Sequence, residues 1–130
     1  MAVSTSVAAW TLRMPAGSAQ QWTFTLTTQS PSGYVPYPIP NGATWEYVAR
    51  ITPTDISGPL ISINTTSGPD GQITVTQTAI LSQVLLVMTA TATATLAPDT
   101  YYHCLWMNPG TSAALAVFDG SLLIEGAPAP

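Results

Sequence analysis

The chain has 130 residues, and only 6% of them are charged, with two basic side chains against six acidic ones. This length suits one domain with a single core. The net charge of −4 gives no attraction to phosphate, so we expect no nucleic-acid partner. Soluble monomers carry about 25% charged residues, and we therefore expect other proteins to cover much of this surface.

The chain begins with a predicted N-terminal arm, residues 1–19, that carries Trp10 and Leu12 and in which residues 7–14 are a candidate additional strand. The clearest strand pattern follows over residues 20–28, where apolar side chains alternate with threonines. Such alternation is typical of a half-buried strand, because successive side chains point to opposite faces. Its inward face is predicted to hold the apolar members, Trp22, Phe24 and Leu26.

A proline-rich segment occupies residues 29–43 and contains Tyr34 and Tyr37. Four prolines remove backbone donors and fix φ, which predicts an extended loop that is partly polyproline II. A loop of this length is either functional or a linker. Since the arm, this loop and the tail at residues 126–130 are not needed to close a core, we expect at least two of them to contact another subunit.

The remaining chain reads as a series of short strands. Residues 43–52 place Trp45 and Tyr47 on one face, which we assign to the core. Further strands are predicted at 60–65, 72–78, 83–89, 101–107 and 113–125. Seven or eight strands with regular turns predict an antiparallel immunoglobulin-like β-sandwich over residues 20–125. It has no disulfide, because Cys104 is the single cysteine.

The stretch at residues 79–97 is uncharged and about as long as a membrane span. It contains serine, glutamine and four threonines that alternate with alanine. This pattern predicts a strand followed by a connection, and we expect no membrane association.

The segment at residues 96–102 indicates a tyrosine corner, in which a tyrosine hydroxyl bonds to backbone upstream of the strand. Tyr102 lies two residues before Cys104, as in immunoglobulin domains, and we therefore place Tyr102 in the core. Only one face of an antiparallel strand normally packs on the core. The other face becomes a candidate interface, to which we add the exposed aromatic and arm residues. The predicted interface residues are Trp10, Leu12, Tyr34, Tyr37, Tyr101, Leu105 and Met107.

Catalysis is poorly supported by the sequence. His103 is the only histidine and no lysine is present, so general bases are scarce. His103 and Cys104 are adjacent in a predicted strand, and they would point to opposite faces and could not bind one metal. We therefore predict no catalytic residue, no cofactor, no metal and no small-molecule ligand.

Four motifs occur in a recognisable order: WEYVAR at 45–50, LLVM at 85–88, LAPDTYY at 96–102 and LAVFDGSLLIE at 115–125. Together they resemble the immunoglobulin-like domains of tailed-bacteriophage virion proteins, such as the N-terminal domain of upper-baseplate and tail-fibre proteins. The resemblance covers roughly residues 20–125. In that family the domain usually precedes others, so an end at Pro130 favours a stand-alone accessory subunit.

The resemblance implies a virion structural protein, assembled in the host cytoplasm. The favoured interpretation is a capsid decoration subunit that binds the head surface through apolar interfaces. A tail or baseplate subunit is the alternative, and a carbohydrate-binding module for host adhesion is the second alternative. The expected partners are the major capsid protein or tail subunits, in a homo-oligomer or a multi-copy array.

Overall fold

The computed structural model describes residues 8–54 and 58–126. The first seven residues of the predicted arm and residues 127–130 of the predicted tail lie outside this part. The described chain forms an all-β sandwich, as the strand pattern predicted, with one short helix, α1 (Ala90–Ala94). The strands are β1 (Ala8–Ala9), β2 (Leu12–Pro15), β3 (Gln20–Thr25), β4 (Thr27–Ser30), β5 (Gly33–Pro36), β6 (Trp45–Arg50), β7 (Ile61–Asn64), β8 (Gly71–Gln77), β9 (Ser82–Met88), β10 (Asp99–Met107) and β11 (Leu115–Glu125).

Two sheets form the layers of the sandwich. The larger has the order β1–β11–β10–β6–β7, with β2 also paired to β11, and the smaller has the order β3–β9–β8. Strands β1 and β2 run parallel to β11, whereas the other pairings are antiparallel. The second, fifth and fourth strands of an immunoglobulin sandwich share one sheet, and the third, sixth and seventh share the other. The same division occurs here, because one sheet contains β3, β9 and β8 and the other contains β6, β10 and β11.

The predicted domain boundaries need correction at two places. Residues 8–15 belong to the sandwich, because β1 and β2 hydrogen-bond along the edge of β11. Residues 29–43 are not a continuous extended loop, since β4 and β5 pair as a hairpin. The two short edge strands and this hairpin raise the strand count in the described part to eleven, above the predicted seven or eight.

The core lies between the two sheets. Trp45 and Tyr47 point inward, with 3% and 0% of their surface exposed, and the alternation in β6 predicted both. Trp22, Phe24 and Leu26 also pack against this core, although each is only half-buried. In the small sheet, the fully buried side chains come from β8 and β9 and include Ile73, Val84, Leu86 and Met88.

Strand β10 has the opposite phase to the predicted one. Tyr102 is 37% exposed, whereas Tyr101, Leu105 and Met107 are almost fully buried. The hydroxyl of Tyr101 donates to the carbonyl of Ala97 at 2.8 Å and thereby forms the tyrosine corner. Tyr102 was therefore wrongly placed in the core. Both faces of this strand are apolar, so alternation alone does not fix its phase.

The predicted interface residues change accordingly. Tyr101, Leu105 and Met107 are core residues and cannot form an outer contact. Trp10, Leu12 and Tyr37 are partly buried and pack against the core of their own chain. Of the seven predicted interface residues, Tyr34 is the one that stands out from the surface, with 76% of it exposed.

The two neighbouring tyrosines allow a direct test of the phase of β10. Tyr101→Phe removes the hydroxyl that bonds to Ala97 and should lower the free energy of unfolding by about 1 kcal/mol. Tyr102→Phe is the matched control and should change it by less than about 0.5 kcal/mol. Urea denaturation of both variants measures the difference. A larger loss for Tyr102→Phe would contradict the observed phase.

Candidate interaction surfaces

Three connections meet at one end of the sandwich, which we call the loop end. They are the segment 26–44 with its hairpin, the β8–β9 turn at residues 78–81, and the loop at residues 108–114. Ser82 donates its hydroxyl to the carbonyl of Tyr37 at 2.6 Å, which joins the first two connections. Asn108 and Thr44 exchange two hydrogen bonds of 2.7 and 2.9 Å, which join the third to the first. The loop end is therefore a connected surface.

Two large apolar side chains are exposed at the loop end. Tyr34 lies in β5, one residue pair from the turn of the β4–β5 hairpin, with 76% of its surface exposed, and Ile80 lies in the 78–81 turn with 86% exposed. The turn is closed by a hydrogen bond of 2.7 Å from Thr78 N to Leu81 O. These two side chains give the loop end an exposed aromatic and an exposed aliphatic group, and aromatic side chains are enriched at protein contact surfaces.

Ile80 was not among the predicted interface residues. The signal available in the sequence was an isoleucine in a short connection between two alternating strands, where polar turn residues are usual. The opposite end of the sandwich carries a comparable residue, Ile51, of which 56% is exposed. Because Ile51 directly follows β6, it lies far from the loop end and offers a matched comparison.

A second surface lies on the outer face of the large sheet, and we call it the sheet groove. It is a groove of about 800 Å³ above β6, β10 and β11. Along its middle strand, Tyr102, Cys104 and Trp106 point outward, the phase opposite to the predicted one. Cys104 is half-buried there, and burial, with a smaller contribution from Asp119, raises the pKa of its thiol to about 12. The thiol is therefore protonated near neutral pH and is a poor nucleophile.

His103 lies on the inner side of the same strand and is 3% exposed. Its Nε2 is 2.7 Å from the carbonyl oxygen of Trp10, which can only accept, so Nε2 carries the proton. Its Nδ1 then accepts from the hydroxyl of Tyr47 at 3.0 Å. Burial lowers the pKa of His103, although the Trp10 carbonyl and the Asp119 carboxylate act in the opposite direction. The ring is thus a neutral structural group with both nitrogens engaged.

The indole of Trp10 stacks on this imidazole, with ring centres 5.4 Å apart and planes 16° apart. Its edges and faces also meet Trp22 and Phe24 of β3 and Phe118 of β11. Trp10, which the sequence suggested as an interface residue, therefore links the two sheets.

Residues 8–54 and 58–126 hold neither a cluster of metal ligands nor a membrane-spanning helix. These residues include no group of three His, Cys, Asp or Glu side chains placed to bind a metal. In the same part of the chain, no helix has the length and apolarity needed to cross a bilayer.

Comparison with known proteins adds little. No protein-family model matches the chain, and no curated protein does. Among solved structures, a family 123 glycoside hydrolase from Clostridium perfringens is similar with a TM-score of 0.44 and 13% identity. The match covers 95% of this chain and 24% of the hydrolase chain. A likeness at this level supports no conclusion about activity.

The buried imidazole predicts how stability depends on pH. Because the folded state lowers the pKa of His103, the unfolded chain binds more protons below about pH 6.5. Stability should therefore be complete above that pH and fall as the pH decreases toward the folded-state pKa. Urea midpoints at about pH 7.5 and about pH 5, on either side of that value, measure the change.

The matched variant is His103→Gln, which keeps a side-chain donor but does not titrate. Its stability should vary less than that of the wild type over this pH interval, because the variant lacks the group whose pKa folding lowers. An unchanged pH dependence in the variant would show that another group is responsible.

Proposed function

We propose that this chain is a structural subunit of a tailed-bacteriophage virion, and specifically a capsid decoration subunit that docks through its loop end. The observation that carries the proposal is the exposure of Tyr34 and Ile80 on the loop end of a domain with very few charges. The immunoglobulin-like strand order agrees with the family that the motifs resemble. The role is binding without catalysis.

The energetics of the loop end favour binding by apolar contact. Burying apolar surface contributes about 25 cal/mol per Å² before the cost of association. Part of that cost is the ordering of loops. Here the hairpin is already paired and the segment that follows it is tied to Ser82 through the Tyr37 carbonyl. The loop end is therefore largely ordered before it meets a partner.

Ion pairs contribute little to this proposed contact. The two basic residues of the chain are Arg13 and Arg50. Arg13 pairs with Glu125 of the same chain at 3.2 Å, and both side chains are well exposed. Exposed pairs of this kind are worth at most about 1 kcal/mol. The three connections of the loop end, residues 26–44, 78–81 and 108–114, contain no charged side chain. The proposed contact therefore relies on apolar burial and on backbone and hydroxyl hydrogen bonds.

A tail or baseplate subunit is the alternative proposal, because the same loop end could seat the domain in a ring. Copy number distinguishes the two locations. Hundreds of copies over the shell indicate a decoration protein, whereas a small multiple of three or six at one vertex indicates the tail.

Substitution at the loop end tests the proposal directly. Ile80→Glu places a charge in the proposed contact and should reduce the copies per particle roughly tenfold or more, the effect of at least about 1.4 kcal/mol in affinity. Ile51→Glu is the matched control at the opposite end and should leave the copy number unchanged. Quantitative mass spectrometry of purified particles provides the measurement. Loss of the Ile51 variant with retention of the Ile80 variant would refute docking by the loop end.

Salt separates apolar attachment from charge-driven attachment. At about 1 M NaCl the Debye length falls to about 3 Å, which weakens exposed ion pairs. We expect the subunit to stay on the particle in this salt and to dissociate in moderate urea, because urea weakens apolar burial. Sedimentation of particles followed by analysis of the supernatant shows which occurs. Release by salt alone would mean that charged residues hold the contact.

A further inference from the structure

We infer that the sheet groove is a binding site for an uncharged oligosaccharide. This inference does not depend on the proposed virion role. One end of the groove shares residues 109–111 with the loop end, but the docking residues Tyr34 and Ile80 do not line it.

The strand register arranges the floor of the groove as a small lattice. On β10, Tyr102, Cys104 and Trp106 point outward in succession. On the β6 side, Tyr102 pairs with Arg50, Cys104 with Val48 and Trp106 with Glu46. The three β6 residues are therefore polar, apolar and polar in turn. Across the β11 side, Asp119 is opposite Cys104 and Ser121 is opposite Tyr102. Aromatic rings and hydrogen-bonding groups therefore alternate over one surface.

This alternation matches the chemistry of a sugar. A pyranose ring has faces of C–H groups that can pack on an aromatic ring, while its hydroxyls lie around its rim. Trp106 and Tyr102 provide two such aromatic platforms, each with a polar edge. Carboxylates accept from hydroxyls and guanidinium donates to them, and Glu46, Asp119 and Arg50 stand beside the rings.

The charges of the groove favour a neutral ligand. Its lining contains two carboxylates and one guanidinium, and the Cys104 thiol adds no charge because it is protonated. The lining is thus negative by one charge, so an acidic sugar would meet a like charge. The hydroxyls of a neutral oligosaccharide can accept hydrogen bonds from Arg50 and donate them to both carboxylates, without electrostatic repulsion.

The size of the groove fits more than one sugar ring. Its volume of about 800 Å³ lies within the range of small-molecule sites, about 300–1,000 Å³. Tyr102 and Trp106 are four residues apart, or about 13 Å along the strand. A ligand that contacts both rings must therefore be longer than a monosaccharide.

The walls of the groove disfavour a second copy of this chain as the occupant. Thr52 and Pro53 follow β6 beyond the Tyr102 end, and Pro109, Gly110 and Thr111 follow β10 beyond the Trp106 end. These segments line the groove together with the sheet, so its surface is concave. A flat sheet face from another copy is less complementary to this concave surface than a chain of sugar rings, which can lie along it.

Titration followed by ¹⁵N NMR tests this inference on the full chain, whose mass of 13.6 kDa suits the method. The probes are hexaoses of glucose, mannose and N-acetylglucosamine, with a galacturonate hexaose as the acidic comparison. We expect at least one neutral hexaose to shift the indole N–H signal of Trp106 and the amide signals of β10. The corresponding monosaccharide and the acidic hexaose should bind at least tenfold more weakly.

Two variants locate the site. Trp106→Ala should weaken binding of the neutral hexaose at least tenfold, and Glu46→Gln provides a second, isosteric test that should weaken it severalfold. Ile80→Glu is the control and should bind the sugar as the wild type does. If Trp106→Ala does not fold, Tyr102→Ala replaces it, because Tyr102 is 37% exposed.

Three results would overturn the inference. They are the absence of shifts with all three neutral hexaoses, shifts that map away from the groove, and signals from β10 that depend on protein concentration without sugar, as self-association would produce. Incorporation of Trp106→Ala into particles together with loss of sugar binding would separate this site from the docking surface. Failure of sugar binding would leave the test of the docking surface unaffected.

Discussion

The crossing of Trp10 over β11 is the contact on which the closure of the sandwich depends. Its backbone N–H donates to the carbonyl of Asp119, and its carbonyl accepts from His103. A side chain at Gly120 would place its first carbon 2.2 Å from the Trp10 carbonyl oxygen, so only glycine permits this approach. The indole then reaches the aromatic rings of both sheets. One residue therefore fixes the parallel edge strand, holds a buried histidine and fills the gap between the layers.

The parts of the fold that sequence could predict are those in which one face is clearly polar. In β6, Glu46 and Arg50 mark the outer face, and the inward position of Trp45 and Tyr47 follows. Strand β10 gives no such mark, because its only charged residue is Asp99 at its start. Its phase is decided by partners distant in sequence, since a buried imidazole needs both the Tyr47 hydroxyl and the Trp10 carbonyl. The prediction placed Tyr102 in the core because Cys104 follows it by two residues, as in immunoglobulin domains, and this analogy gave the wrong phase.

The two candidate surfaces were hidden from sequence for different reasons. Ile80 is exposed because a tight turn leaves its side chain nothing to pack against, and apolar character alone predicts burial. The sheet groove is invisible until the phase of β10 is known, because the same error that placed Tyr102 inside removed it from the surface. The exposure of Tyr34 could be predicted, since it sits among glycine, serine and proline residues that are typical of surface turns, although it lies in the short strand β5 and not in a loop.

The edges of the small sheet connect the scarcity of charge to the proposed assembly. Natural proteins protect edge strands with lysine, proline or inward charges, because unpaired backbone groups invite other strands. Strands β3 and β8 form the edges in the described part of this sheet, and their sequences, QQWTFT and GQITVTQ, contain neither charge nor proline. Threonine and glutamine keep these strands polar without repelling a neighbour. Such edges would be hazardous in a protein that stays free at high concentration, but they suit a subunit whose surface is covered in an assembly, which is the role proposed for this chain.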